Sequence, residues 1–183
     1  MKTIIGIAGS VRTASFNAAL LRAAAEAAPA GCTVEIASIK EIPLYNGDLE
    51  ASDGLPDAVA RLKDRIANAH GLLLVTPEYN NSVPGVLKNA IDWLTRPAVD
   101  IPRVFGDKPV AIMGATPGTG ATRLAQAAWL PIFRTLGAKV WFGGILYVAG
   151  ARKVFDSAGN LADETIRERL QRFMAGFAAS IAD

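Results

Sequence analysis

Five apolar runs of strand length recur along the chain: TIIGIAG (3–9), TVEIAS (33–38), GLLLV (71–75), PVAIMGA (109–115) and KVWFGGILYV (139–148). Helical periodicity fills the gaps between them. Leu20, Leu21, Ala24 and Ala28 share one face of a first helix, and Leu55, Val59, Leu62 and Ile66 one face of a second. Val83, Leu87, Ala90, Ile91 and Leu94 do the same for a third. A fourth covers roughly 121–136, with Pro131 inside it as an expected kink, because proline removes a ladder donor and clashes with the preceding turn. The fifth is the clearest, with Ile166, Leu170, Phe173, Phe177 and Ile181 at the 3.6-residue period. Runs such as GLLLV show none of the polar alternation of a one-sided sheet, so the pattern predicts a parallel sheet covered by helices on both faces. In a doubly wound sheet of five strands, ligands bind past the carboxyl ends where the strand order reverses, at the loops after the first, third and fourth strands. The three most unusual loops of the sequence stand there.

Composition narrows the picture. A chain of 183 residues, 51% hydrophobic and 20% charged, suits a single domain over 1–183. There is no repeat or linker, and the longest irregular pieces are about 41–54 and 95–107. The net charge is +2 with no Lys/Arg run, which argues against nucleic acid and an anionic membrane surface as partners. Cys32 and His70 are the only residues of their types, so one chain builds neither a disulfide framework nor a Cys/His metal cluster. Hard chemistry is therefore expected from a cofactor. The apolar run after Lys2 is broken by glycine, unlike a signal peptide, and no stretch approaches a membrane span; a reducing cytoplasm is the expected compartment.

The first loop, GIAGSVRTASFN, matches neither the G-x-G-x-x-G dinucleotide fingerprint nor a G-K-[ST] phosphate loop. It sets Gly9, Ser10, Arg12, Thr13, Ser15 and Asn17 before a helix whose N-terminus carries free N–H groups and partial positive charge. Hydroxyls, amides and one guanidinium together satisfy a dianionic monophosphate. Ser15 alone reads equally well as a helix cap. A cysteine phosphatase would need a thiolate in this loop, and Cys32 lies far from it and reads as an inert small hydrophobe. After the third strand comes TPEYNNSVPGVLKNAIDW (76–93), where prolines fix the backbone beside an aromatic ring, a surface suited to the edge of a flat heterocycle. Ser82 as an N-cap with Pro84 in the first turn accounts for 82–85 and leaves PEYN unexplained.

Together these loops resemble the NADPH-dependent FMN reductases of flavodoxin-like fold, a family that includes quinone and chromate reductases. Its signature is similar to G-S-x-R-x-x-S-x-N after the first strand and T-P-E-Y-N-x-S-x-P-G-x-L-K-N-A-I-D-W after the third, and this chain carries both in full. The resemblance implies five parallel strands in the order 2-1-3-4-5. It implies that Ser10, Arg12, Ser15, Phe16 and Asn17 hold the FMN phosphate and that Pro77, Glu78, Tyr79 and Asn80 line the isoalloxazine ring. Thr116, Pro117 and Gly118, in GATPGTGATRLAQ (114–126), carry over from a similar Ser/Thr-Pro-Gly segment.

The implied activity is an FMN-dependent oxidoreductase that takes a hydride from NADPH or NADH and reduces a small acceptor such as a quinone, chromate, an azo compound or free flavin, by ping-pong kinetics. FMN is expected tightly bound, and FAD is not, because the loop terminates a monophosphate. No protein residue is assigned as catalytic and no metal is expected, since the cofactor carries the chemistry; Tyr79 is placed to contact acceptor or nicotinamide. Rival readings are an FMN electron carrier and a regulatory flavin module. A homodimer or homotetramer is implied, with a departure from the family pattern: its arginine position is Leu124, the arginine being displaced to Arg123, and a tyrosine of its tetramers is Ala127. His70 reads as helix-terminal, Lys88 and Asp92 as a helical pair, Met113 as core, and Trp93, Trp129 and Trp141 as core or subunit contact.

Overall fold

Parallel strands form the centre of the computed structural model, which describes residues 1–182. The strands are β1 (Lys2–Ala8), β2 (Cys32–Ala37), β3 (Gly71–Val75), β4 (Pro109–Ala115), β5 (Lys139–Val140) and β6 (Tyr147–Val148). Their order is β2-β1-β3-β4-β5, with β6 also paired to β4. The expected 2-1-3-4-5 order is therefore observed, with a sixth strand added. The helices are α1 (Phe16–Glu26), α2 (Gly47–Asp53), α3 (Asp57–Asn68), α4 (Gly85–Leu94), α5 (Ile101–Phe105), α6 (Arg123–Thr135), α7 (Ala151–Val154) and α8 (Glu164–Ser180).

The continuous apolar character of β3 has a direct cause. Leu73 and Val75 join the core under α1 and α8, with Leu20, Leu170 and Phe177. Leu72 and Leu74 join the opposite core under α3, α4 and α6, with Ile66, Leu87, Trp93, Trp129 and Phe133. Both faces of the strand are dry, so neither parity of side chain is polar.

The fifth predicted strand, 139–148, is two short strands. Gly143 and Gly144 interrupt it, and the Trp141 indole folds over both: a Cβ on Gly143 would meet Trp141 Nε1 at 2.5 Å. Glycine gives a strand no side chain to pack, and here the space is taken by a ring. Both short strands still pair with β4, at Pro109–Val110 and at Gly114–Ala115.

The stretches expected to be irregular contain α2 and, after a 3-10 turn at Ala98–Asp100, α5. Helix α2 buries none of its residues, so it leaves no apolar period in the sequence; Asn46 caps it by accepting from the Asp48 amide at 2.9 Å. Lys63 holds the second stretch, its buried ammonium donating to Asp100 at 2.6 Å and to the Arg96 carbonyl. Ala28, Leu55, Val83 and Ile181 fall outside the helices, each within two residues of a helix end. Trp93, Trp129 and Met113 are buried. Trp141 packs edge-on against Phe173. His70 lies between α3 and β3, where its Nδ1 accepts from the Thr3 amide at 3.1 Å, and Lys88 pairs with Asp92 at 2.7 Å.

One close approach fixes the carboxyl end of β4. A Cβ on Gly114 would meet the Thr76 carbonyl oxygen at 2.2 Å and Thr122 Oγ1 at 2.4 Å, so β4 reaches the neighbouring backbone only as glycine. Gly118 is a control four residues on, where a Cβ would meet only Thr116 Oγ1, at 3.9 Å. Gly114→Ala is expected to lower the free energy of unfolding by about 3 kcal/mol through overpacking against rigid backbone. Gly118→Ala is expected to stay within about 0.5 kcal/mol of the parent. Urea unfolding of the two variants compares them.

Candidate mononucleotide site

The loops after β1, β3 and β4 meet at one edge of the sheet because those strands are adjacent in it. Gly9 sets the first contact between them. It is buried, and a Cβ there would meet Leu87 Cδ2 at 2.7 Å and Pro77 Cδ at 2.8 Å. The first loop thus lies against the wall of the second, with the prolines of PEYNNSVP as that wall.

From Gly9 the chain runs exposed through Val11–Ala14 and enters α1. Ser15 is the N-cap, its buried Oγ accepting from the Ala18 amide at 3.2 Å. The first backbone bond of the helix runs from the Ala19 amide to the Ser15 carbonyl, 3.0 Å. The amides of Phe16 and Asn17 precede it and point outward along the axis, where an anion is stabilised. Ser10 Oγ accepts from the Arg12 amide at 3.4 Å, which leaves its own hydroxyl proton to donate. The Arg12 guanidinium is exposed, 5.9 Å from the Phe16 ring centroid. Donors of this number and kind fit a phosphomonoester.

Asn17 has another task. Its buried side chain donates to the Ala115 carbonyl and accepts from the Ala115 amide, both at 2.9 Å. This two-point clasp joins the start of α1 to the end of β4. Its amide side chain is thereby committed to the scaffold, and only its backbone N–H faces the anion position.

The loop after β3 is a two-residue hairpin. Tyr79 and Ser82 exchange backbone bonds of 3.1 and 3.0 Å across Asn80 and Asn81, whose φ values are 50° and 60°. Two central residues at positive φ make the tight turn that asparagine tolerates best after glycine. Ser82 is thus paired in a bridge, and the residue capping α4 is Pro84, not Ser82 as the sequence suggested. The bridge presents the Tyr79 ring half-exposed at the rim. Pro77 is buried behind it.

Glu78 reaches away from this hairpin. Its Oε2 accepts from the amides of Leu124 and Ala125, at 2.8 and 3.0 Å. A carboxylate on the first-turn amides of α6 compensates the partial positive charge of that helix end. Entry to α6 needs such support, because Ala121 and Thr122 precede it at φ 55° and 61°. In the loop after β4, Thr116 donates its amide to the Val148 carbonyl at 3.0 Å, while Pro117 and Gly118 are exposed. The displaced Arg123 lies 5.6 Å from the Tyr147 ring centroid.

The sequence missed the Asn17–Ala115 and Glu78–α6 links, since each joins residues far apart in the chain. No local pattern marks them; a polar residue inside a loop motif is the only sign.

An open, parallel sheet with a helix N-terminus and a flat rim at adjacent strand ends defines a mononucleotide-binding α/β protein. The model of the NADPH-dependent FMN reductases matches residues 2–153, and the chain belongs to that family. It is 41% identical over 169 residues to an NAD(P)H-dependent FMN reductase of Pseudomonas aeruginosa, covering 92% of this chain and 89% of that one. It is 38% identical over 177 residues to a 2-hydroxy-1,4-benzoquinone reductase of a Burkholderia species, covering 97% and 94%. Among solved structures, the flavoenzyme NAD(P)H:(acceptor) oxidoreductase FerB of Paracoccus denitrificans superposes with a TM-score of 0.86 at 34% identity, covering 98% of this chain and 96% of that one.

The clasp yields a test. Asn17→Ala leaves the Ala115 amide and carbonyl without their partner in a buried place, at a cost of about 1–3 kcal/mol for such a group. The variant is expected to lose roughly 3 kcal/mol of stability in denaturant unfolding. An unchanged midpoint would mean that the clasp holds nothing together.

Proposed function

We propose that this protein is an FMN-dependent NAD(P)H oxidoreductase whose acceptors are quinones and similar small molecules. The observation that carries the reading is the pairing of a phosphate cradle at the start of α1 with an exposed aromatic hairpin at Tyr79, on neighbouring strand ends. Ser10, Arg12 and the Phe16 and Asn17 amides hold the phosphate; Ser15 and the Asn17 side chain keep that loop in place. Tyr79 and Asn80, with Pro77 behind them, form the wall of the ring site, and Thr116–Gly118 the opposite wall. Glu78 acts through α6, as a positioning residue. Held by these residues, FMN would supply the hydride and electron transfer between nicotinamide and acceptor. The chain's own residues bind it, orient it and leave its edge open to both substrates in turn.

A homodimer, with a tetramer as its further state, completes the reading. Phe142 and Ile145, each more than 60% exposed, line one shallow cavity with Leu130 and Trp141, an apolar patch that a second copy would cover. A reducing cytoplasm suits the lone, half-buried Cys32. Among the described residues, no helix is long and apolar enough to cross a membrane. Light scattering of the flavin-loaded protein at micromolar concentration is expected to give at least twice the 19.2 kDa chain mass; a monomer contradicts this.

Anaerobic mixing with NADPH is expected to bleach the bound flavin rapidly, with re-oxidation on adding a quinone. A flavin that stays yellow favours the carrier or regulatory reading instead. Two variants then separate the halves of the site. Arg12→Ala removes a charge-assisted hydrogen bond of about 1.5–3 kcal/mol, so FMN affinity falls by roughly one to two powers of ten while turnover at saturating FMN stays close to the parent. Tyr79→Ala instead changes turnover or the Michaelis constants more than FMN affinity. The reverse pattern would show the two loops wrongly assigned.

A further inference from the structure

Thr76 stands between the last residue of β3 and the PEYN hairpin, and its surroundings leave it no freedom. It is fully buried. Its amide donates to the Met113 carbonyl at 2.8 Å, which carries the β3–β4 pairing one residue past the strand, and its own carbonyl lies against Gly114, where a Cβ would meet it at 2.2 Å. Two more bonds converge on its hydroxyl. The buried indole nitrogen of Trp129 lies 3.1 Å from Oγ1, and the Pro77 carbonyl oxygen lies 2.8 Å from it.

Chemistry fixes the direction of both bonds. An indole N–H only donates and a carbonyl only accepts, so the Thr76 hydroxyl accepts from Trp129 and donates to Pro77. The Pro77 carbonyl is thereby held toward the buried hydroxyl. Proline has a fixed φ, so the peptide that follows it is aimed by ψ alone, and one hydrogen bond on its carbonyl sets it. The 77–78 peptide is trans, so the Glu78 N–H points away from Thr76, opposite to that carbonyl. Among the described residues this N–H has no partner, whereas the next one, of Tyr79, donates to the Ser82 carbonyl at 3.1 Å. Glu78 therefore divides its work: the carboxylate closes on α6, and the amide is left as a free donor one residue before Tyr79.

A core position that only needed filling would take an apolar side chain here. Threonine and tryptophan instead put two polar groups in a dry place, at a cost met only when both are bonded. Their side-chain bonds end on the peptide that opens the hairpin.

We propose that Thr76 is a positioning residue for the flavin ring: with Trp129 it aims the 77–78 peptide so that the Glu78 N–H serves as a donor to a ring carbonyl. The proposal rests on the oxidoreductase reading. Reduction loads the ring carbonyls with negative charge, and a hydrogen bond to a charged acceptor is stronger than one to a neutral acceptor, so such a donor holds reduced FMN more tightly than oxidised FMN. The buried pair thereby tunes how readily the flavin gives up its electrons, without touching it.

Three measurements on the FMN-loaded protein test this. In Thr76→Val, which keeps the shape and removes the hydroxyl, the affinity for reduced FMN relative to oxidised FMN is expected to fall about tenfold, a drop of about 30 mV in the two-electron midpoint potential. Thr76→Ser keeps a hydroxyl and is expected to keep the parent potential. In the isotope-labelled parent, NMR is expected to show the Glu78 amide proton moving downfield and exchanging more slowly on FMN uptake, a result that needs no variant to fold. A Thr76→Val protein that is less stable but titrates at the parent potential would show a purely structural hydroxyl and overturn the proposal. So would a Glu78 amide unmoved by FMN, or a Thr76→Ser potential as low as that of Thr76→Val. Each of these leaves the flavin reading standing, whereas a parent chain that takes up no FMN overturns both.

Discussion

Everything at the functional edge depends on how closely the carboxyl ends of β1, β3 and β4 are drawn together. A parallel sheet spaces its strands by backbone hydrogen bonds, but those bonds stop where the strands end, and the loops beyond would otherwise diverge. Here side chains continue the lattice. Asn17 imitates a strand by bonding both polar groups of Ala115, and Glu78 ties the loop after β3 to the amides opening α6. Thr76 adds a third link, its Oγ1 accepting from the Trp129 indole at 3.1 Å. Each link needs a short approach, which explains glycine at 9 and 114, where a side chain would strike a neighbouring loop.

These links divide the polar residues of the motifs into two groups. Side chains that a sequence motif suggests as ligand contacts, Asn17 and Glu78 among them, are occupied inside the protein. The groups left facing outward are backbone amides, small hydroxyls and one guanidinium. Such a surface grips a phosphate strongly, through many fixed dipoles and one charge. At the Tyr79 rim, proposed above as the wall of the ring site, it presents little charge. An open aromatic wall without a committed charge discriminates weakly among flat acceptors, because rejecting a near-match requires polar groups that the wrong ligand leaves unpaired.

The fold was legible because its evidence is local. Strand length, helical period and the unbroken apolar run at 71–75 each lie within a few residues, and together they fix a doubly covered parallel sheet. The loop motifs were legible for the same reason, being continuous in sequence. What could not be read was any feature that depends on distance across the fold. The split of the last strand follows from Trp141 lying over Gly143 and Gly144, and α2 buries nothing that would set a period. Ser82 looked like a cap because a serine with proline in the following turn fits a helix start; the positive φ values of Asn80 and Asn81 made it a hairpin partner instead.

The same distinction bears on the flank of α1. Three arginines stand there, at 12, 22 and 152, and only the first falls in a recognisable motif. They converge because α1 and α7 lie on one side of the sheet, over the core that Leu20, Ala151 and Phe155 share. Unpaired like charges held near one another raise the free energy of the folded state, and water screens them only in part where the wall is aromatic. Arg22 could have been relieved by a carboxylate from the turn at 155–159, yet Asp156 is bonded to Asn160 and a backbone carbonyl faces Arg22 instead. The arrangement keeps the positive charge uncompensated beside the loop that opens α1, and an anion at that helix end is the group that would relieve it.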